Sequence, residues 1–397
     1  AQAANNAAKQ TAIQNGLGWL ATQQQANGSW NYGNDGVRAA TGAALLAFVE
    51  QRTKTGGWGG VDYMPVVNNA VKYLLSQTRT LALNPITGKP EYNGFYGDKV
   101  GVFWASNASP TNSRITYETG LVMPALARYA QSIAGINTAV TVPGFANPIT
   151  YKELLQRATD SFIWGQSWSG NPQGGWRYYP GYNQSDNSTA QWPVVGMLYT
   201  TALAGSVVPQ STKDALKVWV SYVQNPNGAS GYTGPNDYVN EAKTGGLLIE
   251  MVFAGGGGNM TKALEYLNAN WKNTANNTWY GNFGHPYAMW SIYKGLEATI
   301  GLDDTSIISN LHSDPGNLDP GQNWGWWEDY CESLVNSQNA NGSWNGYSEW
   351  YGPLATAWNI NILNATKIPE PTPIPGSVLL LGSGLLGLFA VRRKMKK

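Results

Sequence analysis

The chain has 397 residues, of which only 12% are charged, and a formal net charge of +1 at pH 7. So balanced a chain lacks the basic surplus that phosphate binding needs, which argues against a nucleic-acid partner. Its single cysteine, Cys331, excludes a disulfide framework and a cysteine-rich metal site. Aromatic rings are abundant, with 18 Trp and 22 Tyr against 8 Phe. Trp and Tyr join an apolar face to a polar handle, so they serve as loop staples or as platforms for sugars and apolar ligands.

The opening residues Ala1-Gln2-Ala3-Ala4 read as a mature N-terminus left by signal-peptide removal. Apolar spacing then predicts helices in pairs: 11–25 with 36–51, 64–78 with 115–133, 151–165 with 187–204, 212–224 with 238–254, 260–271 with 285–299, and 325–338 with 350–364. Between partners lie loops rich in Gly, Asn and Trp, such as NGSWNYGND and NGSWNGYSE. The second helices carry small and apolar residues on several faces, as in VRAATGAALLAFV and AKTGGLLIEMVFA. That composition suits an inner ring packed on both sides. Six such hairpins predict an all-α fold, an (α/α)6 toroid over residues 1–366.

Leu20 to Trp30 reads LATQQQANGSW and Leu334 to Trp344 reads LVNSQNANGSW, both fitting Leu-x3-Gln-x3-Gly-x-Trp. Their tryptophans stand 314 residues apart, close to six units of about 52, a helix-pair repeat length. A degenerate copy runs through Gln166, Gly175 and Trp176. The pattern resembles the QW motif of the squalene-cyclase and prenyltransferase repeat superfamily, over residues 10–365. The resemblance implies a structural role for these glutamines and tryptophans. The family's chemistry does not carry over. The Asp-x-Asp-Asp acid of the cyclases is absent, and Asp303-Asp304 lacks a third carboxylate. Asp329-Tyr330-Cys331 has the Asp-x-Cys spacing of the prenyltransferase zinc site. It lies on an outer helix, however, and His285 and His312 precede it where the family's histidine follows. No metal and no cofactor is expected.

In such a toroid, the residues at the start of the inner helices converge on one mouth. The candidate catalytic carboxylates there are Glu118, Asp186 and Glu241. Candidate ligand-binding residues are Asp35, Arg38, Arg114, Tyr117, Asp237, His285, Tyr287 and Glu349. Helix capping accounts for Asp35, Asp186, Asp237 and Glu349. It accounts less well for Glu118 and Glu241, which fall inside helices, and for Arg38 and Arg114, whose charge opposes the dipole. Two carboxylates among aromatic platforms are what glycoside hydrolysis requires.

Residues 367–376 form a proline-rich linker containing Pro369-Glu370-Pro371. The segment 377–397 carries SVLLLGSGLLGLFAV and then a basic end with Arg392, Arg393, Lys394, Lys396 and Lys397. That reads as a short transmembrane helix with its cations on the cytoplasmic side. The three parts in order resemble the PEP-CTERM sorting signal. The resemblance implies export from a Gram-negative bacterium, an exosortase and the inner membrane as partners, and delivery to the cell surface or extracellular matrix. The resulting expectation is a surface protein without catalysis that binds an exopolysaccharide or self-associates. A glycan-active enzyme using the carboxylates at the mouth is the first alternative, and terpenoid binding or cyclisation the second.

Overall fold

The computed structural model describes residues 6–33, 36–105, 114–169, 173–312 and 324–369. Twelve α-helices lie among them: α1 (Asn6–Gln23), α2 (Val37–Arg52), α3 (Met64–Ser76), α4 (Ile115–Tyr129), α5 (Tyr151–Gly165), α6 (Gln191–Ala204), α7 (Gln210–Val223), α8 (Glu241–Ala254), α9 (Met260–Ala269), α10 (Pro286–Thr299), α11 (Trp326–Ser337) and α12 (Gly352–Leu363). The even-numbered helices pack each on the next, and α12 returns to α2, so they close a ring. The odd-numbered helices lean on its outside: α1 on α2 and α12, α3 on α2, α5 on α4 and α6, α7 and α9 on α8, and α11 on α12.

Burial follows composition. α2 buries every residue from Ala39 to Gln51, and α12 every residue from Leu354 to Leu363. A helix enclosed on all sides needs such a sequence. α7 instead buries one stripe, Thr212, Leu216, Trp219, Val220 and Val223. Three ring helices share a Thr-Gly pair. A Cβ on Gly42, Gly120 or Gly245 would fall 2.6 Å from the Leu121 carbonyl oxygen, 2.7 Å from the Trp192 carbonyl or 2.5 Å from the Ile292 nitrogen. The glycines therefore let neighbouring ring helices touch backbone to backbone. The threonines tie the ring to the loops. Thr41, Thr119 and Thr244 accept from the backbone N–H of Trp30 (3.1 Å), Trp104 (3.0 Å) and Ser230 (3.0 Å).

The repeated motif works as a clasp between outer helices. Gln24 donates through Nε2 to the carbonyls of Gly28 (3.0 Å) in its own loop and Val66 (2.9 Å) in α3. Gln338 does the same to Gly342 (2.9 Å) and to Ala12 (2.8 Å) in α1, joining the last outer helix to the first. Gln166 bridges Gly174 (2.7 Å) and Thr212 (2.9 Å). The motif glycine of that copy is thus Gly174, not Gly175, because a longer loop follows the glutamine. A fourth clasp, Gln224 to Gly228 (2.9 Å) and Asn259 (2.9 Å), has Ser230 where the others have Trp. The indoles of Trp30, Trp176 and Trp344 donate back to Leu20 (2.7 Å), Phe162 (2.8 Å) and Leu334 (2.7 Å). Gly28 and Gly342 have φ of 91° and 90°, and a Cβ there would lie 2.2 Å from the Asn69 carbonyl oxygen and 2.4 Å from that of Asn15. Only glycine fits a left-handed turn pressed so closely on the next helix.

The expectation of an all-α fold with a C-terminal transmembrane helix is corrected. Strands β1 (Thr78–Ala82) and β2 (Val100–Trp104) pair antiparallel between α3 and α4, and β3 (Ala139–Val140) pairs with β4 (Ile149–Thr150) before α5. β3 and β4 have two residues each, too few for a period, and β2 buries four residues in a row, so it shows no alternation. No described helix is long and apolar enough to cross a membrane. The segment 377–397, where that helix was expected, lies outside the described residues, as do Glu370 and Pro371, while Pro369 is the last residue described.

Removing the clasp at the seam leaves two carbonyls without their donor. Gln338→Ala is expected to cost about 1–3 kcal/mol in urea unfolding. The exposed Gln25→Ala change should stay within about 0.5 kcal/mol. Equal midpoints for the two variants would deny the clasp a role in stability.

Candidate functional site

The first turns of the six ring helices meet at one cavity of about 620 Å³. Trp192 of α6 and Trp358 of α12 lie buried in its wall, their rings stacked at 5.9 Å and 10°. Around the wall runs an arc of contacting rings. Tyr178 stacks on Tyr117 (6.3 Å), Tyr117 meets Trp192 (6.3 Å), and Trp192 meets Tyr287 (6.0 Å). Tyr287 then stacks on Trp350 (4.8 Å, 16°), which meets Trp279 edge-on (5.4 Å). The exposed Tyr238, Trp279, Arg114 and Glu349 lie on the cavity's solvent side.

Of the residues the sequence nominates, Arg114, Tyr117, Glu118, Tyr287 and Glu349 line this cavity. Glu118 is fully buried and accepts the Arg38 backbone N–H at 3.1 Å. The Arg38 guanidinium turns to Gln77 (2.8 Å). Tyr117 bonds to Ser188 (3.2 Å) and Thr189 (3.0 Å), and Tyr287 donates to the Ser188 carbonyl (3.0 Å). Burial raises both phenols above their ordinary pKa, and the nearby Asp186 adds to the rise.

The others are held elsewhere. Asp186 is fully buried, and one carboxylate oxygen accepts from Ser188 Oγ (2.6 Å), Thr189 N (2.9 Å) and Thr189 Oγ1 (2.9 Å). Its second oxygen stands 3.6 Å from Arg177 Nε. Burial raises this carboxyl's pKa against those bonds. Glu241 accepts from Asn273 Nδ2 (2.7 Å) and Gly281 N (3.3 Å), pinning the loop before α10. Asp237 accepts from Tyr232 N (3.1 Å), Thr233 N (3.0 Å) and Gly234 N (2.8 Å), which folds its own loop rather than capping α8. The cap of α8 is Asn240. His285 caps α10, with Nδ1 accepting the Ala288 N–H (3.4 Å) and Nε2 donating to the Thr278 carbonyl (3.2 Å). Asp35 lies outside the described residues. Asp329 accepts from Trp271 Nε1 (2.6 Å) and His312 N (2.7 Å), and burial pushes the Cys331 thiol up. Among the described residues no group of three or more His, Cys, Asp and Glu could hold a metal ion.

Sequence reading missed Lys243, Trp192, Trp358, Tyr178 and Tyr232, all in the wall. For Lys243 a signal existed. The Thr-Gly pairs place Ala40, Glu118 and Lys243 in the same register, one residue before the threonine. Tyr178 and Tyr232 come from loops and carry no periodicity; their hydroxyls bond to each other. No protein-family model matches the chain, and no curated protein is similar to it in sequence.

His285 ties acid stability to this site. Burial lowers its pKa from 6.5 to about 4. Between those values the unfolded chain binds a proton that the folded one refuses, so stability falls as pH drops through that window and is unaffected above it. The gap corresponds to about 3 kcal/mol. His285→Asn keeps a capping side chain and is expected to lose less stability than the parent between pH 7 and pH 4.5. An identical loss in urea melts at the two pH values would place the acid sensitivity elsewhere.

Proposed function

We propose that the protein is a binding protein without catalysis, which takes a sugar chain into the ring cavity. The observation that carries this reading is the arc of aromatic rings, from Tyr178 through Trp192 to Trp279, around a space of about 620 Å³. Flat apolar faces with polar edges match the mixed faces of a pyranose, and a cavity of this volume takes a short oligosaccharide. Glycoside hydrolysis needs two carboxylates facing the scissile bond. Two carboxylates line the space, but Glu118 is buried against the Arg38 N–H and Glu349 lies exposed on the solvent side, while Asp186 and Glu241 are engaged in holding loops and helix starts. Export to the cell surface, where an exopolysaccharide is at hand, is part of the proposal and rests on the sequence of residues 369–397 alone.

The test uses the full chain and a panel of oligosaccharides from bacterial exopolysaccharides, followed by tryptophan fluorescence and by reducing-end release. Saturable binding without release is expected. Trp350→Ala or Trp279→Ala should weaken it about tenfold, the loss of one ring contact of about 1.5 kcal/mol. Release that vanishes in Glu118→Gln would replace this reading with a glycan-active enzyme. An apolar lipid carried through purification, with no sugar bound, would favour a terpenoid ligand.

A further inference from the structure

Lys243 is the third residue of α8, and it is only 3% exposed. Its backbone is fixed at both ends. The N–H donates to Asn240 Oδ1 (2.9 Å), and the carbonyl accepts from Asn187 Nδ2 (3.2 Å). The residue lines the cavity. Yet its ammonium has no hydrogen-bond acceptor and no ion-pair partner among the described residues. The acids that influence it are Asp186, Asp237 and Glu241; Asp237 and Glu241 are bonded to Thr233 and Asn273, and Asp186 bonds Thr189 through one oxygen while the other faces Arg177 at 3.6 Å without a hydrogen bond. Glu118, in the same register on α4, is by contrast given the Arg38 N–H. A lysine whose stem is buried and whose ammonium meets the cavity without a partner among the described residues leaves an anion's place open there.

A second observation points the same way. All six ring helices begin at this cavity, so the positive ends of six helix dipoles face it. Arg114 adds a planar guanidinium on the exposed side. Glu349 is exposed there too, where solvent screens its charge. Glu118, buried in the same wall, is the one acid lining the cavity's depth, and it is turned to the Arg38 N–H. Burial holds the Lys243 amine down to a pKa of about 8, which leaves it mainly charged at neutral pH.

We propose that the cavity selects an acidic sugar, and that Lys243 receives the carboxylate of a uronic acid unit stacked in the aromatic arc. This rests on the sugar-binding reading above and adds the charge of the ligand to it.

The experiment is calorimetric titration of the full chain with three probes: trigalacturonate, its carboxyl-reduced counterpart trigalactose, and a sulfated trigalactose. The acidic uronate should bind at least about tenfold more tightly than the neutral sugar, and Lys243→Met should bring that ratio below about threefold. Methionine keeps the apolar stem and removes the unpartnered charge, so the melting temperature of the variant should hold or rise, which separates lost selectivity from lost fold. Equal affinity for uronate and neutral sugar in the parent protein, or a ratio preserved in Lys243→Met, overturns the proposal. A sulfated sugar bound as tightly as the uronate overturns the choice of carboxylate. If no sugar binds, the sugar-binding reading falls, and benzoate becomes the probe. Benzoate binding lost in Lys243→Met would keep the anion site, and no benzoate binding would remove it.

Discussion

A glutamine side chain that reaches from the end of one outer helix to a backbone carbonyl of the next is the contact on which the rest of the structure depends. Each clasp answers two carbonyls with one amide, one in its own loop and one in the neighbouring hairpin. The loop glycine lies against the next helix so closely that its carbonyl cannot move away. Helix packing alone fixes distances loosely, because ridges and grooves tolerate sliding. A hydrogen bond to a particular carbonyl does not. The clasp therefore sets the axial register of successive hairpins, and the Gln338–Ala12 bond carries that register across the point where the chain's two ends meet. There Lys9 adds an ion pair to Glu328 at 2.6 Å while lying over the Trp327 ring at 4.3 Å.

Register has an electrostatic consequence. Ring helices held level with one another begin at the same height, so their N-terminal ends gather around one space. Gathered N–H groups attract acids, and the chain supplies them. Asp186 accepts from Thr189 just before α6, and Glu118 accepts from α2 across a helix boundary. Most of those acids answer the protein's own backbone, which is why a ring of carboxylates at a mouth is weak evidence of catalysis. Lys243 is informative because its charge faces the cavity and answers no described part of the frame. Lys243 sits where a cation opposes the dipole of its own helix, and no acid of the described residues pairs with it.

Much of the frame was legible because the physics that builds it is local. Helical spacing, the Gly-Asn turns and the eleven-residue motif each occupy a short window, so the helices of the structure fall close to the spans that periodicity suggests. The misses have equally specific causes. Ser230 replaces the motif tryptophan, which hid the fourth clasp, although Gln224 and Gly228 keep their spacing. β2 is buried on both faces and so offered no alternation to read. Asp237 and Glu349 looked like caps by position, but α8 is capped by Asn240, and Tyr351 at the cap position of α12 makes no side-chain capping bond. Capping depends on one dihedral at one residue, which spacing does not report.

The cavity was harder to read, since a wall is made by residues that share no window. Trp192 and Trp358 stack across 166 positions of chain, and Tyr178 and Tyr232 arrive from separate loops. Even so, the Thr-Gly pairs supply a ruler. They are steric requirements of ring packing, so they hold the same place in α2, α4 and α8, and the residue before each threonine must then take equivalent positions around the ring. That position is alanine in α2, glutamate in α4 and lysine in α8. A site fixed by the frame but free in side chain can hold any of the three. The frame alone has no use for a lysine there, where alanine packs without an unpaired charge. Its presence in α8 is what the proposed anion site would account for.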